Sequence, residues 1–229
     1  IEVYILSIQL IFDSESISSS HLAAVLLNAS INSLIFLTDQ VSAKLELSFY
    51  QDLFKSLINS STCSSSHGFC FAIGDLLYDY KITKFCNEDE VVSFINGVIT
   101  ILQNNYTIYG NEKKSDDYSK DDDQCLQTCY DILDLSKIIF EQDEICAFLK
   151  ENQQIFQEFI QAIFNFFEFS DTFPNSMNCL AYVVESDQTL LFLFLEYLIS
   201  IITSYINENA NNYASKQSYD SIFSICNFI

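Results

Sequence analysis

An eight-residue pattern of polar and apolar positions recurs four times along the chain. It runs from a polar residue through two large apolar residues, a variable residue, a small residue, two more apolar residues and a polar one. The four copies are residues 52–59, 93–100, 158–165 and 196–203. On a helix the four apolar positions form one stripe, with the small residue beside it. A small side chain lets a neighbouring backbone come close, so the pattern predicts the inner helix of a repeated packing unit. The small residues are, in order, Ser56, Gly97, Ala162 and Ser200.

Another apolar segment opens each unit, and the opening positions lie 47 to 59 residues apart. They are His21, Cys70, Cys129, Cys179 and Cys226. A period near fifty residues with two helices per unit is typical of an α-helical repeat. The sequence therefore predicts one all-α domain over residues 1–229, built as about four degenerate, stacked helical hairpins, resembling an α-solenoid and stabilised by disulfides. Three segments fall outside the repeat: the apolar and Ser-rich residues 1–20, the acidic loop insertion 110–124 and the incomplete terminal repeat 221–229.

Local signals set the predicted bounds of the elements. Helices are expected over about residues 21–37, 42–58, 143–169 and 187–207. The polar run 59–68 predicts a loop, and Asn87-Glu88-Asp89-Glu90 predicts the capped start of the helix that carries the second copy. Phe173-Pro174-Asn175 predicts a firm break between the helix that ends near Phe169 and the unit that opens at Cys179.

Composition supports helices and excludes some partners. Four Gly and one Pro leave few tight turns. Against 31 acidic residues the chain has only 10 basic ones, all of them Lys, and its net charge is −21. Without a basic patch to neutralise phosphates, nucleic-acid binding is not expected. The acidic charge is instead compatible with diffuse calcium binding or a basic partner. Residues 110–124 lack the central Gly and terminal Glu of an EF-hand loop, so no specific calcium site is predicted there.

The nearly continuous apolar run 190–206 is long enough to suggest a membrane span. Glu196, however, occupies the polar first position of the repeated pattern, and the flanking residues are acidic or neutral. The prediction is a buried helix of the repeat and no membrane span.

Eight cysteines in a chain with two histidines suggest disulfides in an oxidising compartment, although reduced core thiols in a cytosolic chain are the alternative. Eight cysteines allow 105 pairings. The predicted helices place Cys86 and Cys146 near one end of the helical pairs and the other six near the opposite end. The other six are Cys63, Cys70, Cys125, Cys129, Cys179 and Cys226.

Three N-glycosylation sequons, at Asn28, Asn59 and Asn105, are also compatible with secretion. A secretory signal already removed would explain a chain that starts at Ile1, as would an incomplete sequence. We therefore expect a location outside the cell or in a secretory granule.

Candidate chemistry is sparse. His21 and His67 both have serine neighbours, but Ser is abundant throughout the chain, and no nucleophile elbow, phosphate loop or dinucleotide fingerprint occurs. Two pairs of cysteines lie close in sequence, Cys63 with Cys70 and Cys125 with Cys129. Neither pair has histidine partners at the spacing of a zinc finger. No catalytic residue and no metal ligand is assigned, and the prediction is a protein that is not an enzyme.

The ends of the chain motivate a functional hypothesis. The terminal half-unit leaves an apolar face without its partner helix, and the amino-terminal segment is apolar as well. Uncapped repeat stacks tend to associate, and a contact that does not close produces a filament. We predict a secreted, acidic structural protein that assembles head-to-tail with its own copies into an extracellular filament or matrix. The predicted assembly interface joins Ile222, Phe223 and Ile225 of one copy to Ile1, Val3, Ile5 and Ile8 of the next. The alternative is a carrier that encloses a lipid-like ligand between its Phe- and Ile-lined helices.

Overall fold

The computed structural model describes residues 6–7, 9–11, 16–38, 63–79, 81–82, 87–113, 121–169 and 171–186, and positions 199 and 203. Within these residues the chain is helical apart from short turns, and they contain no strand. The predicted all-α class is confirmed. The helices are α1 (Ile17–Thr38), α2 (Cys63–Asp79), α3 (Glu88–Lys113), α4 (Asp121–Phe140), α5 (Asp143–Glu151), α6 (Gln153–Asn165) and α7 (Phe173–Ser186). A 3₁₀ turn, Phe166–Glu168, follows α6.

The repeated pattern is buried as predicted in the two copies that the structure describes in full. In α3 the four apolar positions and Gly97 are buried, while the polar and variable positions are exposed. In α6 the same four positions and Ala162 are buried, and α3 and α6 pack against each other. Of the copies 52–59 and 196–203 only Ile199 and Thr203 are described, and both are exposed. The small residues Ser56 and Ser200 lie outside the described residues.

Helix α4 lies at the centre of the packing. It contacts α2, α3 and α7 along its length and meets α5 at its carboxyl end. Helix α1 packs on the far side of α2. The core between these helices is apolar and rich in phenylalanine, with Phe140 of α4 stacked on Phe159 of α6 at a ring-centroid distance of 4.8 Å. Such aromatic pairs add to the free energy gained by burying their area.

The cap predicted at Asn87 is confirmed by two reciprocal bonds. The Glu90 backbone N–H donates to Asn87 Oδ1 at 3.1 Å, and the Asn87 N–H donates to Glu90 Oε2 at 2.9 Å. These bonds satisfy two donors that the first turn of a helix leaves without partners. They explain why α3 begins at Glu88.

Helices occupy parts of two segments that were predicted to be loops. The predicted loop 59–68 is wrong over its second half, because α2 begins at Cys63 and Ser66, His67 and Gly68 are buried in its first turns. The predicted acidic loop 110–124 is wrong at both ends, because α3 extends to Lys113 and α4 begins at Asp121. In both places tertiary contacts outweigh the low helix propensity of the polar residues.

The helix predicted over 143–169 is broken, and the predicted break at Pro174 is displaced. The Asn152 side chain donates to the Phe148 carbonyl at 2.9 Å, and this residue separates α5 from α6. A side-chain amide that bonds the local backbone competes with the helix in this way. Pro174 lies in the first turn of α7, where its missing N–H has no helical partner to lose. The break between the two helices therefore lies before Phe173, and residues 173–175, where it was predicted, form the first turn of α7.

Candidate assembly surface and buried histidine cluster

The outer face of α1 is apolar and exposed. Leu22, Val25 and Leu26 are exposed to 61%, 42% and 42% on three adjacent positions of the helix. Small or polar residues continue this exposed stripe at the spacing of a heptad repeat in both directions. We call the whole stripe the α1 stripe. Its members are Ser18, Ser19, Leu22, Val25, Leu26, Ala29, Asn32 and Ser33. Leu6 and Leu10 in the amino-terminal segment are also exposed.

The α1 stripe carries no charge. Residues 17–38 contain no Asp, Glu, Lys or Arg, although the whole chain has a net charge of −21. A second copy of this chain would therefore meet the least electrostatic repulsion on this face. Exposed apolar residues that form a contiguous patch mark sites of interaction more often than scattered ones do.

Two contacts hold the inner face of α1 on α2. Gly68 lies so close to Ser20 that a Cβ atom there would overlap the Ser20 hydroxyl. Further along, Asn28 Nδ2 donates to Asp75 Oδ2 at 3.0 Å. The close approach needs the missing side chain of Gly68, and the hydrogen bond joins the two helices about two turns further along.

A histidine–carboxylate pair lies beneath α1. His67 of α2 is buried, and its Nδ1 makes a short contact with Asp131 Oδ2 of α4. Gln127, one turn before Asp131, donates from Nε2 to the other carboxylate oxygen at 3.1 Å. The His21 ring of α1 stacks on His67, with ring centroids 5.6 Å apart and planes inclined by 28°. The same ring contacts Phe71 at 4.2 Å. The two histidines of the chain thus meet at the α1–α2 interface.

Two polar atoms in this cluster have no hydrogen-bond partner among the described residues. They are His67 Nε2 and Ser20 Oγ, and both residues are buried. When Asp131 accepts the Nδ1–H, the imidazole tautomer is fixed and Nε2 is left as a proton acceptor. Hydrolases orient a catalytic base in this manner. Here the Ser20 hydroxyl is fully buried and makes no hydrogen bond to the imidazole, so the cluster lacks the nucleophile–base bond of that chemistry.

A thiol and a carboxyl group near this pair have raised pKa values. Burial raises the pKa of the Cys70 thiol, and the negative charges of Asp131 and Asp134 raise it further. Burial also raises the pKa of the Asp134 carboxyl, with a smaller contribution from Asp131. A buried thiol of raised pKa is a poor nucleophile. We therefore assign Cys70 a packing role.

A second polar cluster joins α3 to the turn between α6 and α7. Tyr106 donates to Glu168 Oε2 at 2.5 Å, and Tyr109 donates to Asp171 Oδ2 at 2.9 Å. Lys113 Nζ donates to the same Asp171 oxygen at 2.6 Å. The bond to Glu168 and partial burial raise the pKa of Tyr106 to about 12. Burial and the bond to Asp171 raise the pKa of Tyr109. These bonds hold the carboxyl-terminal turns of α3 against the residues that connect α6 to α7.

The predicted disulfides do not occur among the described cysteines. Their side chains are buried, and no two of their sulfur atoms lie at bonding distance. Two of them donate elsewhere: Cys125 Sγ to Glu112 Oε1 at 3.3 Å and Cys146 Sγ to the Phe140 carbonyl at 3.1 Å. Cysteine here behaves as a small apolar residue that fills the core. The described cysteines are Cys70, Cys125, Cys129, Cys146 and Cys179. The side chain of Cys63, and all of Cys86 and Cys226, lie outside the described residues.

Two of the three sequons lie in the core. Asn28 and Asn105 are exposed to 6% and 3%. Asn28 donates from Nδ2 to Asp75, and Asn105 donates from Nδ2 to the Ile101 carbonyl at 2.9 Å. A glycan on either nitrogen would have to displace this packing, so the structure argues against modification of the folded chain at both positions. Asn59 lies outside the described residues.

The predicted assembly interface at the chain ends falls outside the described residues. These positions are Ile1, Val3, Ile5, Ile8, Ile222, Phe223 and Ile225. The α1 stripe was missed, although the uncharged positions 18, 22, 25, 29 and 32 follow a heptad spacing that the sequence displays. Within the described ranges no group of three or more His, Cys, Asp or Glu side chains is arranged to hold a metal ion.

No helix in the described part of the chain combines the length and apolarity needed to cross a bilayer. Comparison of the chain with protein-family models, with curated proteins and with solved structures finds no match.

Proposed function

We propose that this chain is an acidic, all-helical structural protein that assembles head-to-tail with its own copies into an extracellular filament or matrix. The observation that carries the proposal is the α1 stripe, an exposed face with an apolar centre and no charge in a chain of net charge −21. Copies of such a chain repel one another everywhere except where charge is absent. The α1 face is therefore the surface on which association is least opposed.

The order in which the helices pack supports a stack that can be extended. Helices α1, α2, α4 and α7 form one series in which each contacts the next, and α3 packs on α6 in a second series. Stacked helical hairpins have this order, with opening helices in one layer and closing helices in the other. Helix α1 is the first member of its layer and exposes its outer face. In the proposed filament the opposite end of the next copy covers this face.

The location outside the cell rests on the sequence. The described cysteines make no disulfide and so add no support for an oxidising compartment. What supports it is the even number of cysteines and the sequon at Asn59. Diffuse binding of calcium to the acidic surface would reduce repulsion between copies and promote assembly.

Sedimentation velocity and negative-stain microscopy of the purified full chain test assembly through α1. Leu22→Glu places a charge in the centre of the α1 stripe, and Tyr78→Glu makes the same change in charge at an exposed aromatic residue of α2. We expect polymers with the unchanged chain and with Tyr78→Glu, and monomers with Leu22→Glu. Monomers in all three samples, or polymers in all three, would contradict assembly through this face.

Mass spectrometry of the same native preparation separates the scaffold from the alternative carrier. If a lipid-like molecule co-purifies in stoichiometric amount with a monomeric chain, the function is that of a carrier and not of a structural protein. A polymer free of such a molecule is the expected result.

A further inference from the structure

We propose that protonation of the His21–His67 pair releases α1 from α2, so that acidification acts as a switch on this helix. The pair lies directly between the two helices, with ring centroids 5.6 Å apart. These are the two histidines of the chain. Histidine is the side chain whose charge ordinarily changes between about pH 5 and 8. A change of the α1–α2 contact in this pH range is therefore expected to arise from protonation of this pair.

The positive charge of the first proton taken up by the pair is balanced by the carboxylate of Asp131. His67 Nδ1 contacts Asp131, and a proton on His67 Nε2 converts this contact into an ion pair between imidazolium and carboxylate. No other described carboxylate contacts either imidazole in the structure. Asp75 of α2 accepts the bond from Asn28, and Asp134 lies further along α4 beside Asp131. The nearby thiols of Cys70 and Cys129 are uncharged when protonated, as the raised pKa of Cys70 favours.

The positive charge of a second proton, on His21, has no described carboxylate beside it. Helix α1 brings no acidic side chain to the interface, because residues 17–38 contain none. With both rings charged, two imidazolium groups face each other in a partly buried site, where like charges are screened less than in water. Protonated His67 carries a further cost from the first proton onward, because its Nε2–H is a buried donor without a described acceptor, which is unfavourable. Separation of α1 from α2 lets water solvate His21 and relieves both effects.

The direction of the pH dependence follows from the number of protons bound. Repulsion between two charged rings and the unpaired Nε2–H of His67 both exist in the docked arrangement, and release of α1 relieves both. The released state therefore binds more protons, so docking is favoured at high pH and weakened as pH falls through the histidine range. The contact between His67 and Asp131 joins α2 to α4, so release of α1 leaves it in place and does not change this direction.

Release of α1 is a property of a single molecule and holds whether or not the protein assembles. If the α1 stripe is the assembly surface, acidification also weakens the polymer. Measurements on monomeric protein at low concentration keep the two proposals separate: loss of polymer formation alone leaves the switch intact, and loss of the switch alone leaves assembly intact.

Hydrogen–deuterium exchange detected by mass spectrometry tests the switch on the full chain. Exchange in peptides of α1 is compared with exchange in peptides of α3 at pH 7.5 and pH 5.5, after correction for intrinsic rates. We expect α1 to exchange about tenfold faster at pH 5.5, a change of about 1.4 kcal/mol in its opening free energy, while α3 is unchanged. No acceleration of α1 relative to α3, or slower exchange at pH 5.5, would overturn the switch.

His21→Gln is the matched variant, because it removes the second charge and leaves the His67–Asp131 pair in place. We expect exchange of α1 in this variant to differ by less than about twofold between the two pH values. An acceleration as large as in the unchanged chain would overturn the role of the pair.

Should His21→Gln fail to fold, judged by the exchange of α3, the unchanged chain still decides the matter. Nuclear magnetic resonance detection of the contact between its two imidazole rings is then the test. We expect a nuclear Overhauser effect between the rings at pH 7.5 and its loss at pH 5.5. An effect that persists unchanged at pH 5.5 would overturn the switch.

Discussion

Gly68 of α2 lies against Ser20 of α1 with no space for a Cβ atom between the two helices. A methyl group at this position would overlap the Ser20 hydroxyl, which can rotate away. It would still lie 3.2 Å from the Ser20 carbonyl oxygen and 3.0 Å from Ile11 Cγ2, which are tight contacts. The close approach of α1 to α2 therefore depends on glycine at position 68.

We predict that Gly68→Ala destabilises the fold in spite of the better helix propensity of alanine. Overpacking of this kind costs about 1–3 kcal/mol, and urea unfolding followed by circular dichroism measures it. Gly74→Ala is the control on the same helix, since its Cβ would meet only the flexible end of Ile138 at 3.4 Å. This control should gain up to about 1 kcal/mol. Equal effects of the two substitutions would show that α1 does not approach α2 as closely as described.

The Tyr106–Glu168 bond predicts a loss of stability at alkaline pH. The pKa of Tyr106 is raised to about 12 in the folded chain, against about 10 for an unfolded tyrosine. The folded state thus binds this proton more tightly, and its contribution to stability is complete below about pH 10 and lost as pH rises toward 12. Tyr106→Phe should reduce the decline in unfolding free energy between pH 9 and 11.5.

Tyr78→Phe changes an exposed ring and serves as the control for this measurement. At pH 8 the Tyr106→Phe variant should lose less than about 1 kcal/mol, because its partner Glu168 is exposed to solvent. An unaltered alkaline decline in Tyr106→Phe would show that the bond does not persist in solution.

The buried thiols should react only after unfolding. Burial raises the pKa of Cys70 and of Cys179, so little thiolate forms and the reagent cannot reach it. Without reductant, iodoacetamide should leave both unmodified in the native protein and modify both in urea, as read by peptide mapping. A disulfide-linked peptide containing either cysteine would restore the predicted oxidised core.

Buried sequons should remain without glycan in folded material. In protein expressed through a secretory host, we expect intact-peptide mass spectrometry to find unmodified Asn28 and Asn105, because both Nδ2 atoms donate within the fold. Asn28→Ala should cost about 1 kcal/mol by removing the hydrogen bond between α1 and α2. A soluble, cooperatively unfolding chain that carries a glycan at Asn105 would contradict the packing of α3.

Local sequence signals identified much of the fold. The alternation of large apolar, small and polar residues located the buried stripes of α3 and α6, because helix geometry alone decides which side chains share a face. The capped start of α3 was predictable for a similar reason, since Asn87 and Glu90, which form its two reciprocal bonds, lie within one turn of each other.

Errors arose where distant partners decide the outcome. The polar segment around His67 was predicted to be a loop, yet it is helical and buried, and His67 contacts Asp131, 64 positions away in the chain. The cysteines looked like a disulfide framework by number, but the side-chain geometry that a disulfide requires cannot be obtained from a count.

The sequence by itself determined that the chain is helical, which stripes are buried and that its surface is strongly acidic, because these follow from periodicity and charge. The tertiary structure alone decided that His21 contacts His67, that Ser20 packs closely on Gly68, and that the described cysteines are too far apart to form disulfides. Each of these depends on which helices become neighbours, and many weak contacts distributed over the whole core set that arrangement.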